Sequence, residues 1–412
     1  MTRYVLVLMI CMASALPLMA AEDSERFREI YEKEWTFRMS EFPMYASYVG
    51  VDDYADQLRD VSEEAQERRN QYWKGIRAEL DEVSCQRLDR NECINYRIFV
   101  KQIDDFLAEY ETRAYLIPFT SDTGFYIQLG RLPADTDFSS TTDYRNYLGR
   151  LHQMPRLIDQ YIALLRTGLE QGITQPQVIL KGRDEPIKAQ IVDNVTDSPF
   201  YAPFKEMPES VSGGDRAELL ATAEQVISSE VISAYRRLHE FYNEEYMPGA
   251  RESLGATELP GGKRFYQAKI QLYATVDMTP EEIHAIGREQ VARIRSEMEE
   301  IVREVGFEGD FAAFLEFLRT DPQFYAKTPK ELLAHASYYA KKIDGRLPML
   351  FGHMPRQPYG VAPVPEELAP FYTAGRYVGA PLEAHRGGYY WVNTYALESR
   401  PLYAIPALTL HE

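Results

Sequence analysis

The chain has 412 residues, with 45 basic and 63 acidic side chains and a formal charge of −18. Binding nucleic-acid phosphates needs clustered Lys and Arg, so this excess of acid excludes a nucleic-acid surface as the default reading. Hydrophobic residues make up 45% and charged residues 26%, an ordinary globular mixture that excludes general disorder. Tyr is common, with 29 copies against 3 Trp. Such aromatic richness suits long helices packed around a cleft and names no ligand.

The first segment reads as a secretory signal peptide. Arg3 gives a short positive end, Tyr4 to Ala15 is almost unbroken apolar sequence, and Pro17-Leu18-Met19-Ala20-Ala21 ends in small residues before Glu22. The apolar stretch is short of the roughly 20 residues a spanning helix needs, and no later stretch reaches that length. Cys11 lacks the small residues expected before a lipoprotein cysteine. The expectation is cleavage after residue 21 and an exported product, periplasmic or secreted, with no stable membrane span and an oligomeric state the sequence leaves open. Export agrees with the remaining cysteines: Cys85 and Cys93, eight apart across a polar turn, either close a small disulfide loop or remain free thiols at helix ends. They lack metal-site spacing with a nearby His.

Periodicity predicts a mainly α chain. An amphipathic helix spans 24–40 (Phe27, Ile30, Tyr31, Trp35), and two more cover 61–81 and 91–113, the latter with Ile94, Ile98, Ile103 and Leu107 roughly on one face. A breaker-rich section from Pro118 to Asp143 precedes a helix that begins near Thr141-Thr142-Asp143 and stops at Gly172–Pro176. Residues 199–214 read as a loop and 217–246 as a long helix. Thr279-Pro280-Glu281-Glu282 and Thr328-Pro329-Lys330-Glu331 are helix-start signals, combining a capping hydroxyl, a first-turn Pro and a carboxylate three residues after the cap. Ile294, Met298, Ile301 and Val305 recur every three to four residues after the first of them, and Phe311 to Leu318 forms a shorter helix between the two starts.

Composition changes after Gly345. Seven prolines between Arg346 and Pro381 predict an extended, turn-rich connector. Gly387 to Tyr395, rich in aromatic and β-branched residues, predicts a short isolated strand. The apolar run from Pro401 to Leu410 should begin a buried helix. The expected organisation is a signal peptide over 1–21, a helical body over 22–345, and a connector, strand and incomplete last helix over 346–412.

That last helix carries His411-Glu412. His then Glu on a buried helix is how zinc peptidases open their metal motif: imidazole binds Zn²⁺ and the carboxylate takes a proton from metal-bound water. The dipeptide alone does not separate this from an ordinary helix pair, and His239-Glu240 is a second copy with no ligand in Phe241, Tyr242 or Asn243. The other histidines are scattered, with no pair at i, i+4. No nucleophile elbow, phosphate loop or dinucleotide fingerprint following a strand is present, which disfavours serine hydrolases, NTPases and dehydrogenases.

The block Asn393-Thr394-Tyr395-Ala396-Leu397-Glu398-Ser399-Arg400-Pro401-Leu402-Tyr403, followed by Pro406-Ala407-Leu408-Thr409-Leu410-His411-Glu412, resembles the signature of the bacterial domain-of-unknown-function 885 family. Leu259-Pro260-Gly261-Gly262, Thr279-Pro280-Glu281-Glu282-Ile283-His284, Leu347-Pro348-Met349-Leu350-Phe351-Gly352 and Pro363-Val364-Pro365 match as well, so the resemblance covers nearly all of the chain after the signal. It implies a largely helical zinc-dependent peptidase, with His411 a zinc ligand and Glu412 the catalytic base. In the family the run continues as Glu-x-x-Pro-Gly-His-His; this sequence stops before Pro-Gly-His-His, so the expectation is a truncated and inactive chain, with zinc bound only where the remaining ligands are present.

Beside such a site the aromatic strand would line a peptide cleft with Tyr389, Asn393 and Tyr395, while Arg386 and Arg400 would hold a substrate carboxylate. Packing and salt-bridge roles are the competing reading for each. Two other classes stay open: an exported helical protein that captures peptides or glycans without chemistry, and a prematurely terminated product whose apolar end, Leu402 to Leu410, is exposed.

Overall fold

The computed structural model describes the backbone of residues 2–119, 124–366, 368–380 and 387–412, with side chains from residue 21 onward except Phe371. It is mostly helical, with a small sheet near the C-terminus. The described residues group into two units, Met1–Pro280 and Glu281–Glu412.

In the first unit, α1 (Thr2–Glu41), α2 (Pro43–Tyr48), α3 (Glu63–Asp81) and α4 (Arg90–Glu111) come first. The expected cleavage point falls within α1. Ser62 caps α3 by accepting the Ala65 N–H, and Asp89 with Glu92 forms a reciprocal capping box at the start of α4. These caps set the antiparallel pair, whose turn is closed by the Cys85–Cys93 disulfide, Cα–Cα 4.9 Å. Phe27 and Ile30 of α1 pack with Trp73, Ile76, Leu80 and Ile103. Ile94 and Ile98, expected on the buried face, are exposed. Ile98 and Ile103 are five residues apart, which rotates them about 140° around a 3.6-residue helix, so burying Ile103 turns Ile98 outward. The Asp23 carboxylate ties the start of this bundle to the disulfide turn, accepting from the Ser84 N–H at 3.0 Å and from Arg87 Nε at 2.6 Å.

The larger core surrounds α6 (Thr141–Glu170), preceded by a short helix, α5 (Phe125–Gly130), within the breaker-rich stretch. Ser140 and Asp143 cap α6 reciprocally, and its buried face runs from Tyr144 through Leu151, Ile158 and Leu165. It packs on the segment from Gly213 to Gly249, which starts four residues earlier than periodicity indicates because Ser212 caps it. That segment contains α7 (Gly213–Val226) and α8 (Ile232–Phe241), each followed by a π-helical turn, Ile227–Val231 and Tyr242–Tyr246. Extra residues in those turns keep Ile227, Val231, Tyr242 and Tyr246 facing the core. The unit ends with α9 (Gly262–Ala274).

The second unit holds α10 (Pro280–Glu304) from Glu281 onward, α11 (Phe311–Thr320), α12 (Pro329–Asp344), a three-stranded sheet and α13 (Ile405–His411). The proline-rich connector contains two strands that its composition hides, β1 (Tyr359–Pro363) and β2 (Gly375–Val378). They flank β3 (Gly388–Val392) in the order β1-β3-β2, β1 parallel and β2 antiparallel to it. The aromatic strand is therefore central, not isolated. α12 packs against the sheet through Leu332 and Ala336, which meet Tyr390, Val392 and Ile405 in one core, so the composition change after Gly345 falls inside this unit. Among the described residues no helix is long and apolar enough to cross a membrane.

Candidate functional site

The site is built where α13 meets β2. Pro406 stands in the first turn of α13, where a missing N–H is harmless, and Ile405 and Thr409, four apart, turn onto Tyr390 and Val392 of β3. The Thr409 and Tyr390 hydroxyls lie 3.5 Å apart. Burial raises the Tyr390 phenol above its usual range. Leu408 reaches Gly375 of β2: a Cβ there would stand 3.2 Å from Leu408 Cδ2 and 3.0 Å from the Trp391 carbonyl oxygen. Glycine at 375 thus lets the helix lie close to the strand. At the far end of β1, the Tyr359 hydroxyl donates to Asp344 at 2.8 Å, and burial together with that carboxylate pushes the phenol up to about 12.

This packing delivers the end of α13 to the outer edge of β2. The Glu412 carboxylate accepts the Tyr377 backbone N–H at 2.7 Å. The ladder explains why that N–H is available. Asn393 N–H donates to the Ala374 carbonyl at 2.9 Å, and in the antiparallel register this makes 374, 376 and 378 the positions bonded to β3. Gly375 and Tyr377 therefore present their amides and carbonyls away from the sheet. His411, the residue before, is exposed at the helix end. Among the described residues the local donors are the His411 imidazole and the Glu412 carboxylate. Among the described residues no group of three or more His, Cys, Asp or Glu is placed to hold a metal ion, whereas a catalytic zinc takes three protein ligands plus an open position. His411 and Glu412 alone do not fit the ion.

The remaining expected residues divide by position. Tyr389 is partly exposed and its ring lies over Gly360; by strand alternation it stands on the face of the sheet opposite Tyr390 and α13. Asn393 is fully buried, its amide donating to the Ala369, Tyr372 and Thr373 carbonyls while its oxygen accepts the Tyr395 N–H. It braces the loops beside β3 and has no polar atom left for a ligand. Tyr395 is exposed, and Arg400 Nε donates to the Tyr395 carbonyl at 3.3 Å. Arg386 lies outside the described residues. Cys85 and Cys93 belong to the first unit and form the structural disulfide described above. In that unit the second His-Glu pair places His239 Nε2 3.6 Å from Asp184, with the Asn243 amide at 3.2 Å. Sequence reasoning missed Tyr377 and the β2 edge; its one signal was the short Gly375-Arg376-Tyr377-Val378 run inside a proline-rich segment.

No curated protein matches this chain. The crystal structure of the "putative lipoprotein" from Colwellia psychrerythraea is similar in fold, with a TM-score of 0.81 and 20% sequence identity over 96% of this chain and 70% of that one. The model of the family described as bacterial protein of unknown function, DUF885, matches residues 43–412, and the chain belongs to that family.

Proposed function

We propose that this chain is the substrate-binding body and opening half-site of an exported zinc-dependent metallopeptidase that hydrolyses peptides, with His411 as a metal ligand and Glu412 as the base. The remaining ligands would come from the Pro-Gly-His-His continuation that the family resemblance implies. Among the described residues the pair offers one candidate ligand and one candidate base, fewer than the three protein ligands a catalytic zinc takes.

The observation that carries the reading is the Glu412 carboxylate on the outward Tyr377 N–H. It places the acid on a strand edge whose other outward groups, the Gly375 amide and the Gly375 and Tyr377 carbonyls, suit an extended peptide added as a further strand. The cleft assignment accordingly moves from β3, flanked on both sides, to β2. The same edge favours a second reading, capture of extended peptides without chemistry, because strand addition needs no metal.

Both readings are tested by incubating the 412-residue chain with a mixed peptide library, with and without stoichiometric zinc. The peptidase reading expects no cleavage in either condition and peptide binding weakened by substitutions at the β2 edge. Cleavage that survives a chelator would overturn it. Peptide binding by a form completed through Pro-Gly-His-His, without hydrolysis, would establish the second reading.

A further inference from the structure

The first unit contains a cleft far in sequence from α13, formed by α2, the loop before α3, α5 and α6. Its walls are Phe42, Pro43, Met44, Phe125, Leu129 and Leu157, and its volume is about 150 Å³. That is about the size of an enclosed apolar cavity that accepts a benzene ring, and here the cleft is partly open, with Gln128 also in its lining. Tyr161 forms one side, stacked on Phe125 with ring centroids 3.8 Å apart.

One cation enters this apolar space. Arg59 lines the cleft, donates to the Tyr161 hydroxyl and lies with its guanidinium 5.6 Å from the Tyr161 ring centroid. The nearby arginines are committed elsewhere: Arg68 and Arg69 to Glu41, Arg150 to the Gln57 and Pro43 carbonyls and the Ser47 hydroxyl, and Arg156 to the Leu58 carbonyl. Asp60, next to Arg59, accepts instead from the Ser62 N–H and the Gln160 amide. Among the described residues Arg59 has no carboxylate within ion-pair distance. In a chain with 63 acids, a guanidinium beside an apolar cleft whose partner among the described residues is a phenol is an open half of a carboxylate pair.

We infer that this cleft binds a compact monocarboxylate carrying one apolar side chain, with the side chain in the Phe125–Leu129–Leu157 space and the carboxylate on Arg59. The C-terminal end of a short peptide and a free aryl or alkyl acid share this chemistry. The site is independent of the proposed peptidase half-site.

Titration calorimetry on the full chain, with Ala-Ala-Phe, its C-terminal amide and phenylacetate as probes, tests the inference. The acid should bind at least about tenfold more tightly than the amide, the difference expected when a charge-assisted pair is removed. Tighter binding of the tripeptide than of phenylacetate assigns the site to peptide ends, and equal affinity assigns it to small acids. Arg59→Gln should abolish the preference for acid over amide and Arg59→Lys should retain part of it, with thermal melts showing that both variants are folded. Equal binding of acid and amide, an acid preference unchanged in Arg59→Gln, or no binding of any probe at millimolar concentration would overturn it.

Discussion

Ala396 has φ of 53°, in the left-handed region, immediately before the turn Leu397–Ser399. A Cβ is unfavourable there by roughly 1–2 kcal/mol, part of which glycine gives back as unfolded-state entropy. Ala396→Gly should therefore stabilise by about 0.5–1 kcal/mol, read as a higher denaturation midpoint; a lower midpoint contradicts the strained turn. At Glu412 the expected effect of Ala substitution is local. The Tyr377 amide loses its acceptor, so its hydrogen exchange should accelerate while the Tyr390 amide, in the central strand, stays protected. Unchanged exchange at Tyr377 would remove the contact on which the candidate site rests.

Asp23 gives a pH dependence with a definite sign. Burial raises its carboxyl, but the Arg87 guanidinium and the Ser84 N–H outweigh this and hold it below the usual carboxylate range. A folded-state value below the unfolded one contributes stability that is present above about pH 4 and is lost as pH falls through the folded value. Asp23→Asn should lower the midpoint at neutral pH and flatten its fall on acidification. A variant that acidifies with the wild-type profile contradicts this.

At the scale of elements, helix ends were the most legible feature. Thr328 announces α12 because a capping oxygen and a following carboxylate act over three residues, all visible in sequence; the same device at Ser140 and Asp89 starts α6 and α4, which were read from apolar spacing and a start near Thr141. β1 and β2 were not legible. Their residues, Tyr359–Pro363 and Gly375–Val378, include Pro363, Gly360 and Gly375 with poor strand preference, and they are extended because β3 offers both edges for pairing. The π-helical turns escaped for a similar reason, since only packing against α6 requires the extra residue.

Two substitutions test how elements close on one another. A Cβ at Gly168, near the end of α6, would meet the Ile173 carbonyl oxygen at 2.7 Å and the Leu116 carbonyl oxygen at 3.1 Å. Both are backbone atoms, so Gly168→Ala should destabilise by about 1–3 kcal/mol in chemical denaturation. Opening the Cys85–Cys93 loop with a double Ser variant should cost about 2–3 kcal/mol, because the disulfide removes loop entropy from the unfolded chain. Unchanged stability in either variant would show that the close approach or the cross-link does not limit the bundle.

For the molecule as a whole, composition indicated a helical body correctly, and the motif block from Asn393 to Glu412 indicated the family. It pointed to β3 for peptide pairing, whereas the proposed edge is β2, because no local pattern reveals which strand of a three-stranded sheet lies in the middle. Tyr389 and Asn393 read as cleft residues by proximity to His411 in sequence; strand alternation puts the first on the far face and four hydrogen bonds consume the second. The proposed half-site rests on α13 setting the Glu412 carboxylate on the Tyr377 amide at the β2 edge. The most direct measurement is the zinc content and peptide hydrolysis of a form continuing past Glu412 through Pro-Gly-His-His, beside the same form carrying His411→Ala. The account predicts bound zinc and metal-dependent cleavage, both lost in the variant; zinc held equally well without His411, or cleavage that needs no metal, would contradict it.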